Sequence, residues 1–303
     1  QLAIEAGEDP PDTPTSGGET YESTTAPAPN ESDSFTTYEW VDSVPADVPT
    51  RDPFPADRGS TLLFSQYYRF LPLKFVLYEL ATETAEADGP VDLHRFRDHV
   101  ADAVIPLRDA LADWEEAEDV SKQNRLSTGF PNRGSSNPER TMRRYLHHYV
   151  GRYKPEKEEP SGFGHDLGLV SIQSRSNGEP SICLTEAGVQ FTRLTNPVLS
   201  QGPAADVDSL AEDERAFLVT YIRSTLGLEF EFMHYVYETL EHHEGTYTNA
   251  MEQFRSFLVN TDQFGDDPSE NQIRSHTAGT ISRMVVLGML ERGRRRGTYN
   301  TVR

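Results

Sequence analysis

One stretch of the chain, residues 137–190, changes its hydrophobic spacing in a way that strongly constrains the fold. Asn137–Tyr153 has apolar residues at helical spacing, after an Asn-Pro pair that suits a helix start. Two short apolar runs follow, Gly168–Ile172 and Ser181–Leu184, and the turn-forming sequence Ser176–Pro180 separates them. The sequence therefore predicts a helix, then a β-hairpin, then the start of another helix.

The predicted helix Asn137–Tyr153 has two different faces when its residues are placed about 100° apart. One face is apolar, and the other carries basic side chains. Exposed guanidinium groups can contact phosphates and base edges. The alternative is a solvated helix face that forms ion pairs with the chain's many carboxylates. We name the basic face by its residues, which are Arg140, Arg143, Arg144 and His147.

The C-terminal residues repeat this order of elements. A helix is predicted over Ser269–Gly288, a strand over Leu287–Glu291 and a return strand over Thr298–Val302, with an arginine-rich turn before the return strand. Such a turn could enter a minor groove or lie along phosphates, or it could be an exposed turn with incidental charge. The residues of this region that we predict to contact nucleic acid are Ser275, Ser282, Arg283, Arg292, Arg294, Arg295 and Arg296.

In both places the order of helix, strand, turn and strand resembles the recognition helix and wing of a winged helix-turn-helix domain. The resemblance covers residues 61–303 and depends on element order, not on residue identity. It implies a mainly α fold with small β-hairpins (α+β). An elaborated winged-helix domain would span residues 61–203, and a second winged-helix domain would span residues 204–303. The function it implies is non-catalytic binding of double-stranded DNA, as a transcription regulator or as a DNA-sensing subunit of a defence or chromosome-maintenance complex.

Residues 1–60 differ in composition from the rest of the chain. The first 59 residues hold 13 acidic residues and only 2 basic ones, and the first 55 hold 9 of the 20 prolines. With few aliphatic side chains, such a segment cannot bury enough apolar surface to offset the entropy of ordering its backbone. We therefore predict a disordered acidic tail over residues 1–60, with the folded part beginning near Thr61.

The charged residues of the whole chain show a second bias. The formal net charge is −21, and only 4 lysines accompany 24 arginines. This composition resembles the acidic proteins of salt-accumulating haloarchaea, although an ordinary acidic protein is the alternative. At about 1 M salt the Debye length is only about 3 Å, so repulsion between carboxylates is screened. Local arginine clusters, and not the net charge, would then decide whether nucleic acid binds.

Motifs that usually carry catalysis are not seen in the sequence. We find no glycine-rich phosphate loop, no nucleophile elbow and no nuclease-type carboxylate pattern. Adjacent histidines, as in His147-His148 and His242-His243, point about 100° apart on a helix and make poor chelating pairs. The single cysteine, Cys183, excludes an internal disulfide and a multi-cysteine zinc site. We therefore expect no enzyme activity, no cofactor and no bound metal.

Some interpretations remain open at this level. Arg175 and Asn177 at the predicted hairpin turn could reach a DNA backbone, or they could simply supply good turn chemistry. Glu229 and Glu231 could bind a cation or belong to a solvated acidic surface. A winged-helix protein can also be an adaptor that binds proteins without touching DNA, so a protein partner or a homodimer is possible. No apolar run reaches membrane-spanning length, and we expect a cytoplasmic protein.

Overall fold

The computed structural model describes residues 38–41, 43–55, 57–204, 207–242, 250–261, 268–295 and 297–302. These residues form an α+β fold that is mainly helical, with small antiparallel sheets. The first elements are α1 (Phe70–Glu86), β1 (Val91–Asp92), α2 (Leu93–Ala117), α3 (Pro138–Tyr145), a π-helical turn (Leu146–Val150), β2 (Arg152–Lys154), β3 (Glu159–Ser161), α4 (Phe163–Leu167), β4 (Val170–Ser174) and β5 (Pro180–Leu184). They are followed by α5 (Glu186–Arg193), α6 (Pro197–Gln201), α7 (Glu212–Thr225), α8 (Gly227–His242), α9 (Met251–Val259), α10 (Glu270–Val286), β6 (Leu290–Arg292) and β7 (Tyr299–Thr301).

Helix α3 begins where the sequence predicts and ends earlier. The side chain of Asn137 accepts a hydrogen bond from Arg140 N, and Pro138 occupies the first helical position. The helix widens into the π-helical turn and stops at Gly151, whose φ is +109°. A Cβ at Gly151 would lie 2.8 Å from Ser161 O, so only glycine fits between the turn and β3. Arg152 and Tyr153, predicted as helix, therefore belong to strand β2.

Strand β5 forms the centre of a three-stranded antiparallel sheet with the order β1-β5-β4. Ile172 of β4 pairs with Ile182 of β5, and Val91 of β1 pairs with Ile182 from the other side. The predicted hairpin is thus confirmed, although β4 starts two residues later than predicted. The reason is Gly168, which caps α4 with a φ of +87°. Two further hairpins, β2–β3 and β6–β7, are separate two-stranded sheets.

Part of the predicted tail lies against the folded chain. Residues 43–55, which we name the strap, run along the end of β5: Arg51 N donates to Leu184 O at 2.9 Å, and Thr50 forms a parallel bridge to Leu184. Cys183 Sγ donates to Pro49 O at 3.4 Å. Disorder was expected here because aliphatic residues are few, but backbone pairing does not need them. Residues 1–37 lie outside the described residues.

The described residues from Tyr38 onward cluster into one compact unit, and buried charges cross the boundary predicted between residues 203 and 204. Lys74 Nζ of α1 lies 2.9 Å from Glu214 Oε1 of α7, and neither side chain is exposed. Burial lowers the pKa of Lys74 and raises the pKa of Glu214. The opposite charge of the partner reduces both pKa shifts. Lys74 also donates to Leu194 O at 2.7 Å. This buried ion pair joins α1 to α7 across the predicted domain boundary.

Candidate nucleic-acid interface

The basic face of α3 is exposed in the structure. Arg140, Arg143 and Arg144 are exposed, His147 is half-buried, and the apolar side of the helix is buried from Tyr145 onward. Among the residues that the structure describes, no carboxylate forms an ion pair with these three arginines. Other arginines of the chain do have such partners, for example Arg108, Arg133, Arg215 and Arg274. The alternative of a face neutralised by the protein's own carboxylates is therefore not what the structure shows.

Two arginines that sequence reasoning missed extend this face. Burial, and then the positive charges of Arg97, Arg152 and Arg143, lower the pKa of His147. Arg97 comes from α2 and donates to Gly151 O at 3.3 Å, while Arg152 lies on β2 and donates to Ser161 Oγ at 3.0 Å. Only the fold brings these side chains together, because Arg97 precedes α3 by about 40 residues. We call Arg97, Arg143 and Arg152 the arginine cluster.

A cavity of about 330 Å³ opens beside the basic face. It lies between the π-helical turn, residues 66–69 and the loop that contains Thr128 and Gly129. Arg144 Nη2 donates to Gln66 Oε1 at 2.6 Å at its edge. The described residues that line it include no Asp or Glu, in a chain with 49 acidic residues. We call it the basic cavity; the lining residues used below are Gln66, Arg69, Arg144, His148 and Tyr149.

A second cavity, of about 620 Å³, adjoins the basic cavity, because Arg69 and Thr128 line both. Its wall also contains Arg292, whose Nη1 lies 3.5 Å from Gln123 O. Its charges are mixed, since Glu118 and Asp208 line it as well. Arg69 thus borders both the cavity that Arg292 lines and the cavity that Arg144 lines.

The prediction that Arg283 contacts nucleic acid is wrong. Its side chain is fully buried, Nη2 lies 2.6 Å from Glu229 Oε1, and Nη1 donates to Tyr67 O. The other oxygen of Glu229 accepts from Leu63 N at 2.9 Å. Glu229 is therefore the buried partner of an arginine and not part of a solvated surface. The α-helical pattern could not show this, because the partner of Arg283 lies 54 residues away.

Gly279 and His276, on the same side of α10 as Arg283, are also buried. A Cβ at Gly279 would lie 2.0 Å from Ser65 O, so the helix and the backbone of residues 63–67 touch closely. The ring of His276 packs 5.8 Å from that of Phe232, and burial, followed by the charge of Arg283, lowers its pKa to about 3. Ser275 remains exposed, and Ser282 is half-buried and donates to Ala278 O at 2.8 Å.

The two predicted wings differ in what their arginines contact. Arg175 is exposed, but its Nη2 donates to Pro90 O at 2.6 Å. Asn177 accepts from Glu179 N, and Gly178 has a φ of +84°, so this sequence functions as a turn. In the C-terminal turn, Arg294 and Arg295 are exposed. Arg296 lies outside the described residues.

The described residues also bear on metal binding and on acid-base groups. They contain no group of three or more His, Cys, Asp or Glu side chains placed to hold a metal ion. His243, the partner of His242 in the sequence, lies outside them. Burial raises the pKa of Asp166 to about 6, although Gly162 and Arg58 oppose the shift. Asp166 lies on short helix α4, within the core that supports the π-helical turn.

None of the described helices combines the length and the apolar character needed to cross a bilayer. Comparison of the chain with protein-family models, with curated proteins and with solved structures gives no match. The geometry of the basic face and its surroundings is therefore the main indication of function.

Proposed function

We propose that this protein binds double-stranded DNA without catalysis. The basic face and the arginine cluster would contact phosphates and groove edges, and the exposed arginines of the C-terminal turn would add a second contact. A cytoplasmic transcription regulator or a DNA-sensing subunit of a defence or chromosome-maintenance complex would use such a surface. This proposal rests on local charge, since the net charge of −21 by itself argues against DNA.

The observation that carries the proposal is the absence of carboxylate partners around Arg140, Arg143 and Arg144 among the described residues. The chain has 49 acidic residues, so carboxylates that could pair with these three exposed arginines are abundant. Instead α2, α3 and β2 bring further positive charge to the same place. A surface of this kind supplies positive charge and hydrogen-bond donors together, which is what phosphate groups require.

The order of elements also supports the resemblance to winged helices. Helix α3 is followed, after β2, β3 and α4, by the hairpin β4–β5, and α10 is followed directly by the hairpin β6–β7. Strand β1 pairs with β5, so the hairpin β4–β5 belongs to a three-stranded sheet. Because β1 lies between α1 and α2 in the chain, this pairing ties the hairpin to both helices. Such a likeness concerns the fold alone, so the function depends on the arginines. Because Arg283 of α10 is buried, we assign the second contact to the turn between β6 and β7. Ser275 is the exposed candidate on the helix itself.

The test is fluorescence anisotropy with a duplex whose ends are closed by hairpins, in about 2 M KCl to keep carboxylate repulsion screened. Arg143→Ala/Arg144→Ala should weaken binding about tenfold or more, because two phosphate contacts are lost. Arg294→Ala/Arg295→Ala tests the C-terminal turn in the same way. Both variants should keep the wild-type circular-dichroism spectrum, since the four side chains are exposed.

The matched control is Arg133→Ala/Arg274→Ala, which removes the same two charges from sites that already have carboxylate partners. It should change the affinity by less than about twofold, since screening leaves net charge little influence. An equal loss in the control and in Arg143→Ala/Arg144→Ala would mean that binding follows net charge and not this surface. No binding by folded wild-type protein would reject the proposal. The acidic net charge would then favour the alternative, a winged-helix adaptor that recognises a protein partner.

A further inference from the structure

The basic cavity has polar groups that nothing in the described structure satisfies. The hydroxyl of Tyr149 lies beside Gly129, where a Cβ would be 2.8 Å from it. The Nε of Arg69 and the hydroxyl of Tyr145, which both belong to lining residues, are buried without a hydrogen-bond partner. Buried polar groups normally have partners, so an arrangement with several left over indicates a place for a ligand.

Arg69, Arg144 and Tyr149 line this cavity together. The pKa of Tyr149 is raised by burial and by Tyr68, while Arg69 and Arg144 both lower it. Arg69 and Arg144 line the same cavity as Tyr149, and a Cβ at Gly129 would lie 2.8 Å from the Tyr149 hydroxyl and 3.1 Å from Arg69 Cβ. The ring of Tyr68 stacks under Arg69, with its centroid 5.3 Å from the guanidinium carbon, and Gln66 holds Arg144. Two fixed cations and a hydroxyl donor, with no carboxylate in the wall, match the charge and the acceptor oxygens of a phosphate group.

An aromatic edge adjoins this group of donors. His148 lines the cavity, and its ring contacts that of Phe64 at 5.9 Å and that of Tyr67 at 6.1 Å. Phe64, which contacts His148 and does not itself line the cavity, is 46% exposed. Burial, then Arg144, lowers the pKa of His148 to about 4, so its ring is neutral near pH 7. Neutral aromatic rings of this kind stack on nucleobases.

We propose that the basic cavity binds the phosphate monoester of a nucleotide, with the phosphate between Arg69, Arg144 and the Tyr149 hydroxyl and the base against His148 and Phe64. The volume of about 330 Å³ lies at the small end of ligand sites, which suits one nucleotide. The nucleotide is either free or the 5′-phosphorylated end of a DNA strand. In the second form the inference rests on the proposed DNA-binding function.

Isothermal titration calorimetry of the whole chain tests the free ligand, with AMP, adenosine and inorganic phosphate as probes. AMP should bind saturably and adenosine about tenfold more weakly or worse, since the phosphate contacts are lost. Tyr149→Phe removes only the hydroxyl, and Arg144→Gln removes one cation; each should weaken AMP about tenfold. Phe64→Ala should weaken AMP and leave inorganic phosphate unchanged. The control is Arg133→Gln, an exposed arginine paired with Asp113, which should change nothing.

The DNA source is tested by anisotropy with open-ended duplexes that differ only in a 5′-phosphate or a 5′-hydroxyl. Preference for the phosphorylated end, lost in Tyr149→Phe, supports the inference even if AMP does not bind. The inference is overturned if folded wild-type protein binds neither AMP nor phosphorylated ends preferentially. Equal binding of AMP and adenosine, or AMP binding that survives both cavity variants, also overturns it. The hairpin-closed duplex has no ends, so its result judges the proposed function separately.

Discussion

Helices α3 and α10 make an informative pair, because one sequence pattern led to opposite outcomes. Both have a polar N-cap, Asn137 and Ser269, an apolar side and a polar side with arginine, and both precede a hairpin. In α3 the arginines are exposed and have no carboxylate partner among the described residues. In α10 the single arginine of that side, Arg283, is fully buried against Glu229. The same periodicity thus describes a surface in one helix and an internal contact in the other.

The cause of the difference lies outside both helices. Residues 63–67 pass over α10 where Gly279 allows close approach, and α8 supplies Glu229. Helix α3 is approached instead by Arg97 and Arg152, which carry the same charge as its own side chains. A polar stripe on a helix therefore predicts exposure only if no complementary charge arrives from another element. This comparison leads to three measurements of stability, all made in high KCl.

The largest effect is expected for Arg283→Met. It leaves the Glu229 carboxylate buried without its cation, which costs about 3–5 kcal/mol of unfolding free energy. Urea unfolding followed by circular dichroism measures the loss. On the same helix, Arg274→Met removes an exposed pair with Glu270 and should cost less than about 1 kcal/mol. If the two variants lose similar stability, the distinction between the buried and the exposed arginine is wrong.

A smaller loss is expected for Gly279→Ala. Glycine to alanine inside a helix normally gains up to about 1 kcal/mol. Here the new methyl group would meet the Ser65 carbonyl, a backbone atom at 2.0 Å, and overpacking of this kind costs about 1–3 kcal/mol. Net destabilisation in urea unfolding would show that α10 is tightly covered. A stabilised variant would mean that residues 63–67 do not hold this position.

The smallest effect concerns the pH dependence of stability. The folded pKa of His276 is about 3, below its unfolded value of about 6.5. The unfolded chain therefore takes up the proton first, and stability is lost as the pH falls below about 6.5, by up to about 1.4 kcal/mol per unit. His276→Gln should reduce the loss between pH 6 and pH 5, whereas replacement of the exposed His94 should not. Asp166, whose pKa is raised, contributes in the opposite direction over the same range in both proteins.

Local chemistry in the sequence was enough to predict several elements. The helix start at Asn137, the strand predicted over Ser181–Leu184 and the helix start after it depend on neighbouring residues only. The break at Gly151 was missed, because it depends on contact with Ser161 and Ile172. The hairpin β2–β3 was missed with it, since Arg152 and Tyr153 continue a helical pattern.

For the candidate site, the sequence located the arginines of α3 and not what surrounds them. Exposure of Arg143 and Arg144 follows from helical periodicity and was predicted correctly. Arg97 and Arg69 are distant from α3 in the sequence, and Arg152 follows the break at Gly151 that was not predicted, so only the tertiary structure assigns them to this surface. Arg283 was assigned wrongly for the same reason. Nucleic-acid binding itself stays a prediction.

The strap has a consequence for the chemistry of the only cysteine. While Pro49 accepts from the Cys183 thiol, burial raises the thiol's pKa and keeps the reactive thiolate scarce. The rate at which a maleimide modifies Cys183 therefore reports how often the strap leaves β5. A chain shortened to begin at Thr61, the start that composition suggests, would lose the pairing of Leu184 with Thr50 and Arg51. It would leave the end of β5 at Leu184 without its backbone partner, next to an accessible thiol.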